Sequence, residues 1–442
     1  MTDLPIYAVY VASVALCALP LVHILLRGKL KTYFVFFVFD AGFLGLNLLG
    51  SISHNIRTNV ATNRFHLLLL ACALGMFATY VLLLVFASSY QTGSRRVLLM
   101  VPDAREGAVL RRYVRAVFAA VCALSLLFYV VFAPPVILRV DLFGQWGALI
   151  QERWKVVYGV SSFNWFSIVF FEVPALIAMM VAALAHLYRA EGDEEEAQSW
   201  GRMQRVILPV AMFLSISFLH IIVLVYLFAA LGMVALFFRG RIPVGVIARY
   251  SLPAAVGVFL LYSVKRGFSL SGEAIADIGG IVVHRTVEVY AWAGATIVWL
   301  FPDRQPYLEG ASFINVFGAF RFEQVDLASM VYPYIYNDIT GGAPVPAVFE
   351  TYANFGWPGA AVTIFIICLL TVGVTILSWS QDIFLFCMSL FLTLKSLLLW
   401  QSALWFGMLE PSLIVGLLML TGGYYAMRAA RPRQVPVLLR PV

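Results

Sequence analysis

Apolar runs long enough to cross about 30 Å of hydrocarbon recur along the whole chain, at about 5–26, 32–52, 65–89, 112–133, 161–188, 357–378, 382–401 and 406–427. Such runs read as membrane-spanning helices, and their recurrence limits the fold more than any local motif. Two further cases are less plain. The stretch 206–238 is too long for one ordinary span and holds SISFLH at 215–220, which suits a tight polar turn between two short helices. The stretch 250–264 is short, with Pro253 in its first turn, where proline is tolerated. Of 442 residues, 62% are hydrophobic and 12% charged, with a mean hydropathy of +0.90, a balance far from that of a soluble domain. The expected fold class is an all-α polytopic membrane protein of about 11 transmembrane helices, a single integral membrane domain over 1–442.

Basic residues set the expected orientation, because they concentrate in short cytoplasmic loops. If the first connection is cytoplasmic, that side receives Arg27, Lys29 and Lys31, the run SRRVLLMVPDAREGAVLRRYVR at 94–115, Arg189, Arg202 and Arg205, RGRIPVGVIAR at 239–249, and the basic tail 428–442. Nineteen of the 30 Lys and Arg then lie inside and ten outside, with Lys395 within a helix. The segment 189–205, with its EGDEEE run, reads as an acidic, solvated cytoplasmic loop, and the external segments are 53–63, 134–160 and 267–356. The net charge of +7 reflects this topology, so no nucleic-acid partner is implied. The first apolar run lacks the basic start and cleavage site of a secretory leader and reads as a retained helix. Five cysteines, all within apolar stretches and without paired spacing, act as small hydrophobes.

The late external segment, about ninety residues long, is too large for a simple connector and is expected to carry short helices of its own. Within it, 272–301 is apolar enough to lie on or re-enter the bilayer surface but is interrupted by His284, Arg285 and Glu288.

Ten basic residues on the outer face run against the positive-inside bias: Arg57, Arg64, Arg139, Arg153, Lys155, Lys265, Arg266, Arg285, Arg304 and Arg321. Any one of them can simply meet lipid headgroups, Arg64 above all because it begins a helix. Several together point to an anionic ligand. The strongest combinations are QERWKVVYG (151–159), SVKRGFSLSGE (263–273), VVHRTVEVY (282–290), FPDRQPY (301–307) and FGAFRFEQ (317–324), each setting an arginine beside aromatic or carboxylate groups. Guanidinium groups hold phosphate oxygens bidentately, and rings stack on sugars or line an isoprenoid chain. Inside the membrane, Asp40 is costly unless paired or facing a polar cavity, whereas Lys395 has a stem able to snorkel. Phosphate loops, GxGxxG, HExxH, G-x-S-x-G and DxD-like pairs are absent from the sequence, which points away from nucleotide-dependent chemistry; no metal or cofactor is expected, an absence that the family resemblance described next also implies.

The chain closes its large loop with ETYANFGWPGA at 350–360. Together with the helix number, the external QERWKVVYG and the tight central turn, this segment resembles the Wzy family of bacterial lipid-linked repeat-unit polymerases. One departure is the central turn, where LSISFLHII holds His220 near the place of the family's Gly/Thr-Arg pair. The resemblance implies a GT-C-like polymerase/ligase architecture with a large external loop. It implies a multi-pass protein of the bacterial inner membrane with its site facing the periplasm, acting on undecaprenyl-diphosphate-linked oligosaccharides. Membrane lipids, a flippase and a chain-length regulator (a polysaccharide co-polymerase) are the implied partners.

The site expected on this basis uses Glu350, Glu323 and Arg285 for catalysis. Arg153, Lys155, His220, Arg266, Arg304 and Arg321 hold the diphosphate, and Tyr352, Asn354, His284 and Tyr307 the glycan. Glu350 ranks first as the base because it lies beside the membrane re-entry and Tyr352. An O-antigen ligase using the same donor, or a polysaccharide transporter, is the alternative.

Overall fold

The architecture comes from a computed structural model, which describes residues 6–51, 63–93, 100–131, 134–145, 148–149, 151–152, 168–218, 221–239, 244–266, 272–313, 325–336, 342–400 and 411–429. Among these residues all regular structure is helical. The helices are α1 (Ile6–Leu26), α2 (Phe34–Phe43, continued by a π turn Leu44–Leu48), α3 (Asn63–Gly93), α4 (Ala104–Val131) and α5 (Val173–Ala190). They continue as α6 (Glu194–Ile216), α7 (Ile221–Arg239), α8 (Val244–Arg266), α9 (Gly272–Val283), α10 (Val289–Leu300), α11 (Leu327–Tyr336), α12 (Ala347–Ser378), α13 (Ile383–Leu397) and α14 (Pro411–Ala429).

Among the described residues, seven helical stretches are long and apolar enough to cross a membrane: Tyr7–Leu26, Phe34–Ser51, Asn63–Ser88, Ala104–Val131, Val169–Ala190, Ala347–Ser378 and Ile383–Trp400. The chain is therefore an all-α polytopic membrane protein. The count of about eleven also included 206–238, 250–264 and 406–427. The first of these is carried by two helices, α6 ending at Ile216 and α7 beginning at Ile221, but α6 spends its opening turns on charged residues and α7 is short.

Burial orders the bundle. The Val169–Ala190 stretch is 83% buried and Ile383–Trp400 is 72% buried, whereas Ala104–Val131 is only 17% buried, so α5 and α13 form the centre and α4 the rim. Alanines along α5 let α6, α7 and α13 approach closely, the small-residue packing that replaces hydrophobic drive in lipid. At the centre, Lys395 of α13 does not snorkel; its ammonium lies 2.5 Å from Glu172 Oε1, in the π turn that precedes α5. Asp40 is fully buried beside the thiol of Cys17, and neither carboxyl oxygen has a hydrogen bond of ordinary geometry among the described residues.

The acidic run is less a loop than the start of a helix. Gly192 (φ 85°) turns the chain, and Asp193 caps α6 by accepting the Glu196 N–H at 3.0 Å. Glu194, Glu195 and Glu196 then fill the first turn, where the helix dipole favours negative charge. Glu196 pairs with Arg111 of α4, and Arg428 of α14 pairs with Glu106 of α4 and, at 2.8 Å, with Asp382 at the head of α13. These ion pairs gather the starts of α4, α6 and α13 and the end of α14 on one face.

The segment 272–300 is one continuous helical rod, and His284, Arg285 and Glu288 occupy a π turn within it (His284–Glu288) instead of breaking it. Its second half, α10, is buried against α12 and the π turn of α2.

Candidate functional site at the kink of α12

The segment ETYANFGWPG makes a kink. Gly356 has φ 65° and ψ −147°, a backbone region open essentially to glycine alone. In a straight helix the carbonyl of Asn354 would accept from residue 358, which is Pro358 and has no N–H. The acceptors freed by the kink are satisfied from outside the helix: the N–H groups of Leu308 and Glu309 donate to the carbonyls of Ala353 and Asn354, each at 3.0 Å. The 301–313 segment thus serves as the C-cap of the first half of α12. Gly359 allows the two halves to close, since a Cβ there would lie 2.3 Å from the Thr351 carbonyl.

Asn354, fully buried, locks this contact. Its Oδ1 accepts from the N–H groups of Gly310 (2.9 Å) and Ser312 (3.4 Å), and its Nδ2 donates to Ser312 Oγ (2.6 Å) and to the Glu350 carbonyl (2.8 Å). One turn earlier, the buried Glu350 carboxylate accepts from Ser312 Oγ at 3.4 Å. Tyr352 is buried between two rings in edge-on contact, Tyr307 at 6.1 Å and Trp357 at 6.0 Å, and it interacts with the side chain of Arg64. Arg64 in turn pairs with Asp303 at 2.9 Å. Three of the predicted glycan-contacting residues, Tyr307, Tyr352 and Asn354, are therefore gathered with the predicted base Glu350.

Directly beyond the kink an open apolar groove of about 430 Å³ runs between α3 and the second half of α12, bordered by Leu68, Gly75, Trp357, Ala361, Phe365 and Leu369. Gly75 permits this close approach, because a Cβ there would lie 2.7 Å from Ile364. Trp357 belongs to both regions: it touches the ring of Tyr352 and lines the groove.

A second cluster lies on the π turn. His284 Nδ1 is 2.9 Å from Glu288 and Nε2 is 3.1 Å from the Tyr336 hydroxyl, while the guanidinium of Arg285 lies over the Tyr336 ring at 6.0 Å. Arg304 instead covers Trp299 at 3.6 Å, a close cation–π contact. About 22 Å of helix axis separates Arg285 from Leu300, at ~1.5 Å per residue, so Arg285 and Arg304 do not share one pocket. They are linked through α11, whose Tyr336 meets His284 and whose Tyr334 meets Trp299.

Of the remaining predicted residues, Arg153, Lys155, His220, Arg321 and Glu323 lie outside the described residues, as does the side chain of Arg266 at the end of α8. Arg64, which the sequence assigns first to lipid headgroups, Asp303 of FPDRQPY and Ser312 are not among the expected site residues. The signal for the first two was the side they share, Arg64 opening α3 and Asp303 in FPDRQPY; Ser312 carried none.

No family model matches the chain, and no curated protein or solved structure shows significant similarity to it. The chemistry is thus read from the kink itself. A buried carboxylate, an amide and a hydroxyl form one hydrogen-bonded set, a cation stands beside two phenols, and an open apolar groove begins at Trp357.

Proposed function

We propose that the protein is a metal-independent membrane glycosyltransferase that polymerises oligosaccharide units carried on undecaprenyl diphosphate and releases the lipid diphosphate. The observation that carries this reading is the continuity, through Tyr352 and Trp357, between the polar set around Glu350 and the apolar groove along α12. A diphosphate-linked glycan on an isoprenoid chain uses both, and the motif resemblance of ETYANFGWPGA supports the same class.

Transfer breaks a glycosyl–diphosphate bond, builds negative charge on the leaving group and requires an acceptor hydroxyl to lose a proton. Glu350, oriented through Ser312 and Asn354, takes that proton. Arg64, at the head of α3, and Arg304, on the loop that holds Arg64's partner Asp303, stabilise the departing diphosphate in a partly dehydrated setting. Tyr307 and Tyr352 flank the sugar.

The test is reconstitution of the purified protein with a defined undecaprenyl-diphosphate oligosaccharide and no nucleotide sugar. A ladder of longer lipid-linked glycans is expected. Transfer only to a lipid A core acceptor would make the protein a ligase, and failure to consume the donor with either acceptor would overturn the reading.

A further inference from the structure

The heads of α4 and α6 meet beside a second cleft, far in sequence from the kink. Arg111 of α4 is ion-paired to Glu196 of α6 and lies 5.8 Å from the Trp200 ring centroid, which fixes the two helices at a common height. One turn further along, this neutralisation stops. Arg115 and Arg202 line a cleft of about 520 Å³ together with Phe118, Ser199, Met203 and Val206. Both arginines are exposed, and neither has an ion-pair partner among the described residues. Beyond Arg115, α4 continues as AVFAAVCALSLLFYVV, and beyond Arg205, α6 continues as VILPVAMFLSI. The cleft therefore straddles the boundary between the charged and apolar parts of both helices.

We propose that this cleft binds an anionic phospholipid. Arg115 and Arg202 grip the phosphate from two sides, Ser199 contributes a hydroxyl, and the acyl chains descend over Phe118, Met203 and the exposed Val206. Two guanidinium groups facing one cleft repel each other unless an anion lies between them, and their planar forks match phosphate oxygens. Basic pockets between transmembrane helices at the headgroup level are suited to such lipids. The apolar lower wall selects a lipid over a soluble phosphate. This site does not depend on the glycosyltransferase reading.

The full-length protein in nanodiscs of phosphatidylcholine mixed with phosphatidylglycerol, released and weighed by native mass spectrometry, tests it. The wild type should retain phosphatidylglycerol over phosphatidylcholine, and Arg115→Gln with Arg202→Gln should cut that preference about tenfold or more. Arg205→Gln, beside the cleft but not lining it, should leave the preference intact. Retention by the double variant equal to the wild type overturns the proposal, as does an equal loss in Arg205→Gln, which would mean diffuse surface charge. Displacement of the lipid by inorganic phosphate alone would also overturn it, in favour of a free-anion site. A photoreactive phosphatidylglycerol on the wild type needs no variant to fold: labelling of peptides covering 115–121 and 199–207 supports the site, and labelling confined elsewhere sinks it.

Discussion

The hydroxyl of Tyr307 lies 2.7 Å from the position a Cβ would take on Gly356. The glycine therefore answers two demands at once, a left-handed φ of 65° and the close passage of the ring that packs edge-on against Tyr352. Gly356→Ala is expected to destabilise the protein by about 1–3 kcal/mol from backbone strain alone, with further loss from the overlap. Adding Tyr307→Ala removes the overlap but not the strain, so thermal unfolding in detergent should show partial rescue. An unchanged midpoint for Gly356→Ala would mean that the kink does not hold the site.

Asn354 is the second fastener. Asn354→Ala leaves the Gly310 N–H and the Ser312 hydroxyl without their amide partner in a buried setting, a loss of about 1–3 kcal/mol. The local signature is more telling than the midpoint. Hydrogen exchange at Leu308, Glu309 and Gly310 should accelerate well before that of α10, because these amides are held by the end of the first half of α12. Protection that stays native in 308–312 would show that the loop is held by other contacts.

The membrane class and the helical nature of the chain were legible because lipid imposes its requirement on every span, and hydropathy records it directly. The split of 206–238 was legible for the same reason: SISFLH interrupts an otherwise apolar run. The π turn at His284–Glu288 was visible only as polar residues in an apolar stretch, since sequence does not reveal whether a rod bends or ends. At the site, Glu350, Tyr352 and Asn354 could be found because glycine and proline flagged the segment. Ser312 could not, because its role arises from a loop folding back on a helix 42 residues away in sequence, and the pairing of Asp303 with Arg64, 239 residues away, is likewise set by packing alone. Lys395 and Glu172 each looked ambiguous alone, and only tertiary packing pairs residues 223 positions apart.

That pair gives a sharp stability test. Removing one member, as in Lys395→Met, takes the ammonium away from the buried Glu172 carboxylate and should cost about 3–5 kcal/mol. Replacing both, Lys395→Met with Glu172→Leu, should recover most of that loss, since a well-packed apolar pair in this position needs no desolvation. Thermal melts of the two single variants and the double variant give the coupling. Additive losses would mean that the contact between Lys395 and Glu172 contributes nothing of its own.

Glu350 separates the catalytic reading from a structural one. Glu350→Gln keeps a carbonyl oxygen able to accept from Ser312 Oγ but removes the basic carboxylate, so polymer formation should fall about 10²–10⁴-fold while the unfolding midpoint moves little. A large fall in the midpoint with proportionate loss of folded protein would instead make Glu350 a structural group. Arg285→Ala provides the contrast within the same assay: it lies on the π turn beside Tyr336, away from the kink. It should still yield full-length polymer, which keeps the reaction at the α12 kink, where Arg64 interacts with Tyr307 and Arg304 covers Trp299; loss of polymer in this variant would bring Arg285 into the machinery.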